Sequence, residues 1–389
     1  MRRSLASRTF LGALALSAIL FVPGIARGDE PGLQQRAQEL VRQLGDDSYP
    51  VRQRAMRELT QLGVPAKQAL LTGLQSDDAE IRWRCRRVLA SVLELDLRAR
   101  LADFAADTDG SEGLSLPGWE RFRELVGDEP AARELFVEMQ RAEPDLLEAA
   151  DAPNAPLDEA LQQRCAQLQQ VIFAPDQRAR RAAPLGSVVT LFFVATRADV
   201  QVTDALVSYL HTFSYQPAFQ QIMNDPRRSK PVRKLLGTWV GRNSGTFSTY
   251  HNFMLSLQYG LGEALDPALA ALRSGTAQPY AQQYAMLVVG RFGGAEHANL
   301  IEPLLNDHNV LGSNNINQQE VRTEVCDVAL AILVHLAGEN HPDFGFKFLQ
   351  KNPQSVVIPL SAGFANDGER QSAIKKWRER GTKPGGSGE

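Results

Sequence analysis

Cysteine is scarce in this 389-residue chain, which holds only Cys85, Cys165 and Cys326. Three are too few to form a disulfide framework. Cys85 and Cys326 fall inside helical, apolar-periodic segments and read as small buried hydrophobes. Aromatics are also sparse at 7%, while alanine and leucine abound, a balance that leans helical because those side chains lose little freedom in a helix. Neither sign of charge dominates, since 42 Lys and Arg face 45 Asp and Glu for a formal charge of −3. That balance makes a poor polyanion binder, because nucleic-acid affinity comes mainly from neutralising phosphates. With 43% hydrophobic and 22% charged residues, wholesale disorder and a polytopic membrane protein are both excluded. The length exceeds one compact core and calls for several domains or an elongated array.

Catalytic signatures are missing as well. No Gly-x-Ser-x-Gly, Walker loop, paired-cysteine redox motif or HExxH occurs, so neither an enzyme class nor a cofactor is indicated. The six histidines (His211, His251, His297, His308, His335, His341) show no paired zinc spacing with cysteine. His335, Glu339, His341 and Asp343 gather near one helix end and form a weak metal candidate. They underlie the alternative expectation of a metal-dependent or enzymatic module, although an imidazole there also simply suits the helix dipole. Asp107-x-Asp109-Gly110 has the look of half a calcium loop, but Ala105 and Leu116 occupy the outer ligand positions.

One long apolar stretch is present, at the N-terminus. Arg2, Arg3 and Arg8 precede Phe10–Val22, Pro23-Gly24 breaks the run, and Ala26-Arg27-Gly28 supplies small residues for cleavage before Asp29. Residues 1–28 therefore read as a signal peptide, which places the protein in the periplasm or outside the cell. No later segment reads as membrane-spanning. Val188–Ala195 is a buried helix by its length and composition.

What the chain does contain is internal repetition. Val51-Arg52-Gln53-Arg54-Ala55 returns thirty positions on as Ile81-Arg82-Trp83-Arg84-Cys85, with Asp46-Asp47 and Asp77-Asp78 ahead of each copy as acidic N-caps. Residues 54–77 also align without a gap onto 284–307. Ala55 meets Ala285, Gly63 meets Gly293 and Asp77 meets Asp307. Apolar positions three or four apart, a terminating glycine and a second apolar stripe make each unit a helix pair. Val321-Arg322 continues the register after ten additional residues around Asn309–Asn317, and a helix is expected to resume at Val321.

This pattern resembles the HEAT-repeat family, in the short form also seen in bilin-lyase-like proteins. The resemblance rests on Asp47, Val51, Arg52 and Ala55, on Asp77, Ile81, Arg82 and Cys85, and again on Val321 and Arg322. The chain is similar, too, to exported bacterial HEAT-repeat proteins of unassigned function. The implied fold is an all-α, armadillo-like superhelix, a right-handed solenoid of antiparallel helix pairs, with one short β-hairpin in the insertion. The family also implies that the repeated Asp and Arg form a ladder of inter-repeat hydrogen bonds. The expected organisation is a signal peptide (1–28), N-terminal repeats (29–96), an acidic loop with further helices and a linker (97–156), a degenerate repeat region (157–380) and a disordered tail (381–389). The expected function is non-catalytic scaffolding that binds a protein or peptide partner. Asn309, Asn314, Asn315 and Asn317 are the candidate contact residues, because loops on a solenoid are held rigidly by the stack. Self-association in envelope assembly is the structural alternative.

Overall fold

The computed structural model describes residues 30–380, apart from 108–109, 111–112, 153–155, 243–246, 276 and 317–318. The expected signal peptide and tail lie outside the described residues. The described chain is mostly helical, with eighteen α-helices and four short strands. It divides into two compact units between Ala102 and Asp103.

The first unit contains α1 (Glu30–Gln43), α2 (Tyr49–Leu62), α3 (Lys67–Gly73) and most of α4 (Ala79–Ala106). Pro50 sits in the first turn of α2, where its missing N–H leaves no bond unmade. Ala55 and Cys85, the small residues of the two copies, are both fully buried and share one core with Leu40, Leu59, Leu70 and Val88. The close approach is real: a Cβ on Gly73 would lie 2.4 Å from Cys85 Sγ and 2.9 Å from a Val41 methyl. The two arginines repeat their contacts as well as their spacing. Arg52 Nη1 donates to the carbonyls of Asp46 and Asp47 at 2.6 and 2.9 Å, and Arg82 Nη1 to those of Ser76 and Asp77 at 2.7 and 2.8 Å. Each arginine thus ties the loop ahead of its own helix instead of bonding an aspartate in the next repeat. Between the copies stands Arg52 Nε, 3.8 Å from Glu80. Only one acidic N-cap forms. Asp78 accepts from the N–H groups of Glu80 and Ile81, whereas Asp46 closes a turn onto the Ser48 N–H.

The second unit begins within the last turn of α4 and continues through α5 (Trp119–Val126), α6 (Pro130–Ala142), α7 (Pro144–Asp151), α8 (Leu157–Ile172), α9 (Leu185–Ala195), α10 (Asp204–Ser214), α11 (Pro217–Met223) and α12 (Ser229–Val240). After these come α13 (Tyr250–Tyr259), α14 (Leu265–Ser274), α15 (Pro279–Phe292) and α16 (Ala298–Ile301). Strands β1 (Val310–Ile316) and β2 (Gln319–Glu324), α17 (Val325–Leu336), the short strands β3 (Lys351–Asn352) and β4 (Val356–Val357), and α18 (Asp367–Arg380) complete it. The stretch 97–156 therefore belongs almost wholly to this unit, and the division falls six residues past the expected boundary at 96.

Helix α9 is buried at every position from Gly186 to Ala195. Neighbour packs on neighbour in the order α6, α9, α12, α13, α15, α17. Near the start of the unit, Trp119 packs edge-on against Phe104 at 4.9 Å and against Phe136 at 5.2 Å. Two cations of the basic run at 227–234 reach the ends of neighbouring helices. Lys234 Nζ donates to the last carbonyl of α5 at 2.8 Å, and Arg233 donates to that of α13. These cations complement the negative ends of the two helices.

Three segments share one local plan. Helix α2, α13 or α15 ends in a glycine (Gly63, Gly260, Gly293) whose N–H bonds the carbonyl four residues back, a 3-10 turn follows, and a short helix completes the unit. The middle copy, α13–α14, lacks the Val-Arg pair. The match at Val321-Arg322 does not hold as helix: both residues lie in β2, and α17 starts only at Val325. The insertion supplies β1 of an antiparallel pair whose other strand holds Val321 and Arg322, with Asn314 opposite Val321 and Asn315 opposite Glu320.

Candidate functional site

The most distinctive surface of the second unit is built by α10, α13 and α15, of which α13 packs on both others. His211 and Tyr215 stand four apart on α10, as do Tyr280 and Tyr284 on α15, so each pair projects from one side of its helix. Between them α13 presents Tyr250 and His251. The imidazoles of His211 and His251 stack at 4.0 Å with 15° between planes, and Tyr250 lies 4.1 Å from His251. Tyr215 meets His211 edge-on at 5.0 Å, and Tyr284 stacks on Tyr250 at 6.2 Å. The outer rings are open to solvent, with Tyr215 48% and Tyr280 56% exposed.

This face has an unusual protonation balance. Burial, with help from the neighbouring His251, pushes His211 down to about 4. Burial likewise lowers His251 and raises the Tyr284 hydroxyl, the latter aided by Tyr215, Tyr250 and Tyr280. The Nδ1 atoms of both histidines are buried without a hydrogen-bond partner. The rings are therefore neutral near pH 7 and offer π-faces and polar atoms without charge.

Tyr280 carries the face onto the hairpin, its hydroxyl donating to the Leu311 carbonyl of β1 at 3.2 Å. Along β2 the residues Val321 and Thr323 turn inward while Glu320 and Arg322 face solvent, the alternation expected of a half-buried strand. Asn314 and Asn315 are exposed on β1. Asn309 is exposed but belongs to the preceding turn, where its N–H and side-chain amide both bond Asp307. Asn317 lies outside the described residues.

The hairpin base is locked by buried charge. Arg370 of α18, 2% exposed, donates to Asp327 at 2.8 and 3.2 Å and to the Arg322 carbonyl at 3.0 Å. It also lies 3.4 Å from Glu324 Oε1. Asp327 in turn accepts from the Glu324 N–H at 2.9 Å, capping α17. Burial pushes Asp327 up to about 6 even though the Arg370 hydrogen bond opposes it. Arg370 is drawn down by burial, and the bond and charge of Asp327, followed by Glu324, more than reverse this.

Beside that lock, three donors from three segments converge. His308 Nδ1 lies 2.9 Å from Glu324 Oε2 and 3.7 Å from Cys326 Sγ, and Sγ lies 3.7 Å from the same carboxylate oxygen. Sulfur and carboxylate both address one ring nitrogen, so this is not the relay of a nucleophilic triad, where base and orienting acid use opposite nitrogens. Among the described residues it is the one group of three or more His, Cys, Asp or Glu donors close enough to share an ion.

The other expected metal residues do not assemble. His341 turns inward, its Nε2 2.9 Å from the Ala331 carbonyl, while His335, Glu339 and Asp343 are exposed. Asp107 is buried with a carboxylate oxygen 3.9 Å from Arg133. Asp109 lies outside the described residues. Sequence reading missed the ring-lined face because its three pairs lie about thirty residues apart in sequence. The repeated aromatic four-residue spacing in α10 and α15 was its available signal. No protein-family model matches the chain, and no curated protein matches it.

Proposed function

We propose that this is an exported, non-catalytic helical-repeat protein that binds a protein or peptide partner across the rings of α10, α13 and α15 and the hairpin beside them. The observation that carries the reading is the continuous run Tyr215–His211–His251–Tyr250–Tyr284, with Tyr280 linking it to β1. Tyrosine supplies large, stiff contact area with a hydroxyl handle, which is why it dominates binding hot spots. Neutral histidines add polar atoms without the desolvation cost of charge.

A HEAT-like solenoid is the architecture that fits. The recurrent helix–glycine–turn–helix plan and the neighbour-to-neighbour packing from α9 to α17 support it, since one such pair cannot bury its own apolar stripe. Export rests on the N-terminal residues. Among the described residues no helix is long and apolar enough to cross a membrane, which is compatible with release after cleavage.

Affinity capture from an envelope fraction tests the reading. Three baits are compared: the native chain, Tyr215→Ala/Tyr280→Ala, and a chain in which 313–320 is replaced by a tight turn. Truncating a central aromatic costs about 2 kcal/mol or more, roughly thirtyfold in affinity. A partner held by the native bait should be lost from the double variant and weakened by the shortened hairpin. Equal recovery on all three baits contradicts the proposal.

A further inference from the structure

We propose that His308, Glu324 and Cys326 form a binding site for zinc or another divalent cation of the same borderline-soft class, held at the base of the hairpin. This goes beyond the partner-binding reading and does not depend on it.

The donor set is the first argument. Imidazole, carboxylate and thiolate together suit zinc rather than calcium or magnesium, which take oxygen donors. Spacing is the second. Zinc bond lengths near 2.0–2.3 Å at tetrahedral angles put neighbouring donors roughly 3.4–3.6 Å apart. Both sulfur separations are 3.7 Å, so the thiol already stands at ligand distance from its partners. The His308–Glu324 pair at 2.9 Å needs to open by about half an ångström, given those bond lengths. The exposed His308 ring can give that much.

Positioning is the third argument. Each ligand comes from a different segment, and the backbone fixes all three. Cys326 N–H donates to the Asp307 carbonyl at 2.9 Å and Val325 N–H to the Asn309 carbonyl at 3.0 Å, which pins the His308 turn against the start of α17. Glu324 is divided in function. Its Oε1 faces Arg322 at 3.2 Å and Arg370 at 3.4 Å, leaving Oε2 directed at the other two donors. An outer ring of cations orienting a ligating carboxylate is the supporting arrangement metal sites use. Asp327 lies 3.8 Å from Sγ, but its oxygens are taken by Arg370, so it belongs to that outer ring. Three protein ligands leave a fourth position for water on the side of His308, whose side chain is 53% exposed and gives the ion its way in.

Binding replaces the Cys326 S–H bond by an S–metal bond and releases one proton. The imidazole must carry its hydrogen on Nε2, freeing the Nδ1 lone pair for the ion. The ion would cross-link the 308 turn, the end of β2 and the first turn of α17.

Cobalt(II) and zinc titrations of the purified full chain test the site, with His308→Ala and Cys326→Ser as variants and far-UV circular dichroism as the folding control. The native chain should bind one ion and show the near-ultraviolet absorption of a cobalt–thiolate bond. Cys326→Ser should lose that band and bind zinc at least about a hundredfold more weakly, since loss of even an outer partner costs 10–100-fold. His308→Ala should keep the band with at least about tenfold weaker binding on the same scale. If Cys326→Ser fails to fold, the His308 variant and the native spectrum still decide. A native chain without a thiolate band, or zinc affinity unchanged in His308→Ala, overturns the proposal.

Discussion

Replacing Arg370 by methionine probes the lock beneath the hairpin. The guanidinium serves two acidic residues, Asp327 at 0% and Glu324 at 3% exposure, and methionine matches its length without the charge. Its loss leaves the buried Asp327 without its main counter-charge and Glu324 with Arg322 alone among its arginine partners. Breaking a buried pair in this way costs about 3–5 kcal/mol, far above the value of any exposed ion pair. The upper half of that range is expected, because one residue meets Asp327, Glu324 and the Arg322 carbonyl in the interior as well as the exposed Asp367. Urea unfolding followed by Trp377, which packs against Phe344 from α18, reads the change directly. The pH dependence adds a second signature. Asp327 is raised from 3.8 to about 6, so between those values the folded chain holds more proton than the unfolded one and stability falls as pH rises. Without Arg370 the Asp327 pKa climbs further. The variant's deficit should therefore be smaller at about pH 5 than at about pH 8, where Asp327 gains nothing from holding a proton. Adding Asp327→Asn should recover part of the loss. A deficit under about 1 kcal/mol, the range of an exposed pair, or one that grows on acidification, refutes the assignment of a buried ionic lock.

Other perturbations separate the remaining contacts. Gly73→Val should destabilise the first unit by about 1–3 kcal/mol through overpacking against Cys85 and Val41, measured by thermal melting. Ala285→Arg places a charge where a fully buried methyl sits and should abolish cooperative melting of the second unit. An unchanged melt would remove the helix-pair register of α15. His211 is lowered from 6.5 to about 4, so its contribution to stability is present above about pH 6.5 and is lost as pH falls through the folded value. His211→Phe should flatten the acid limb of the stability profile, and an identical limb in both chains would count against a buried neutral ring.

The repeats were legible because local physics and packing agreed. Ala55 and Cys85 are small where helices touch, and Gly63 stops α2 where the apolar stripe ends. The apolar run in α9 is buried as its composition requires. The Asn-rich insertion formed its hairpin. Val321-Arg322 misled because a Val-Arg pair fits a helix start and a half-buried strand equally well. Pairing across the hairpin, Val321 with Asn314 and Arg322 with Ser313, settled it as strand. The α13–α14 stretch reads only as part of the degenerate repeat region, because its plan lies in the glycine and the turn rather than in the Val-Arg signature. His308 and Cys326 were invisible as partners, since only the closed hairpin brings residues eighteen apart in sequence to 3.7 Å. In the cationic run at 227–234, Arg233 and Lys234 serve helix ends, a role fixed by tertiary neighbours alone.

Site-specific photo-cross-linking tests the ring-lined face most directly. A benzophenone amino acid is placed at Tyr280 in one chain and at the exposed Gln177 in another, and both are irradiated in the native envelope. The binding account predicts a discrete adduct of one mass from position 280 and none of that mass from 177. The same adducts from both positions, or none from 280 while the chain remains folded, would contradict it.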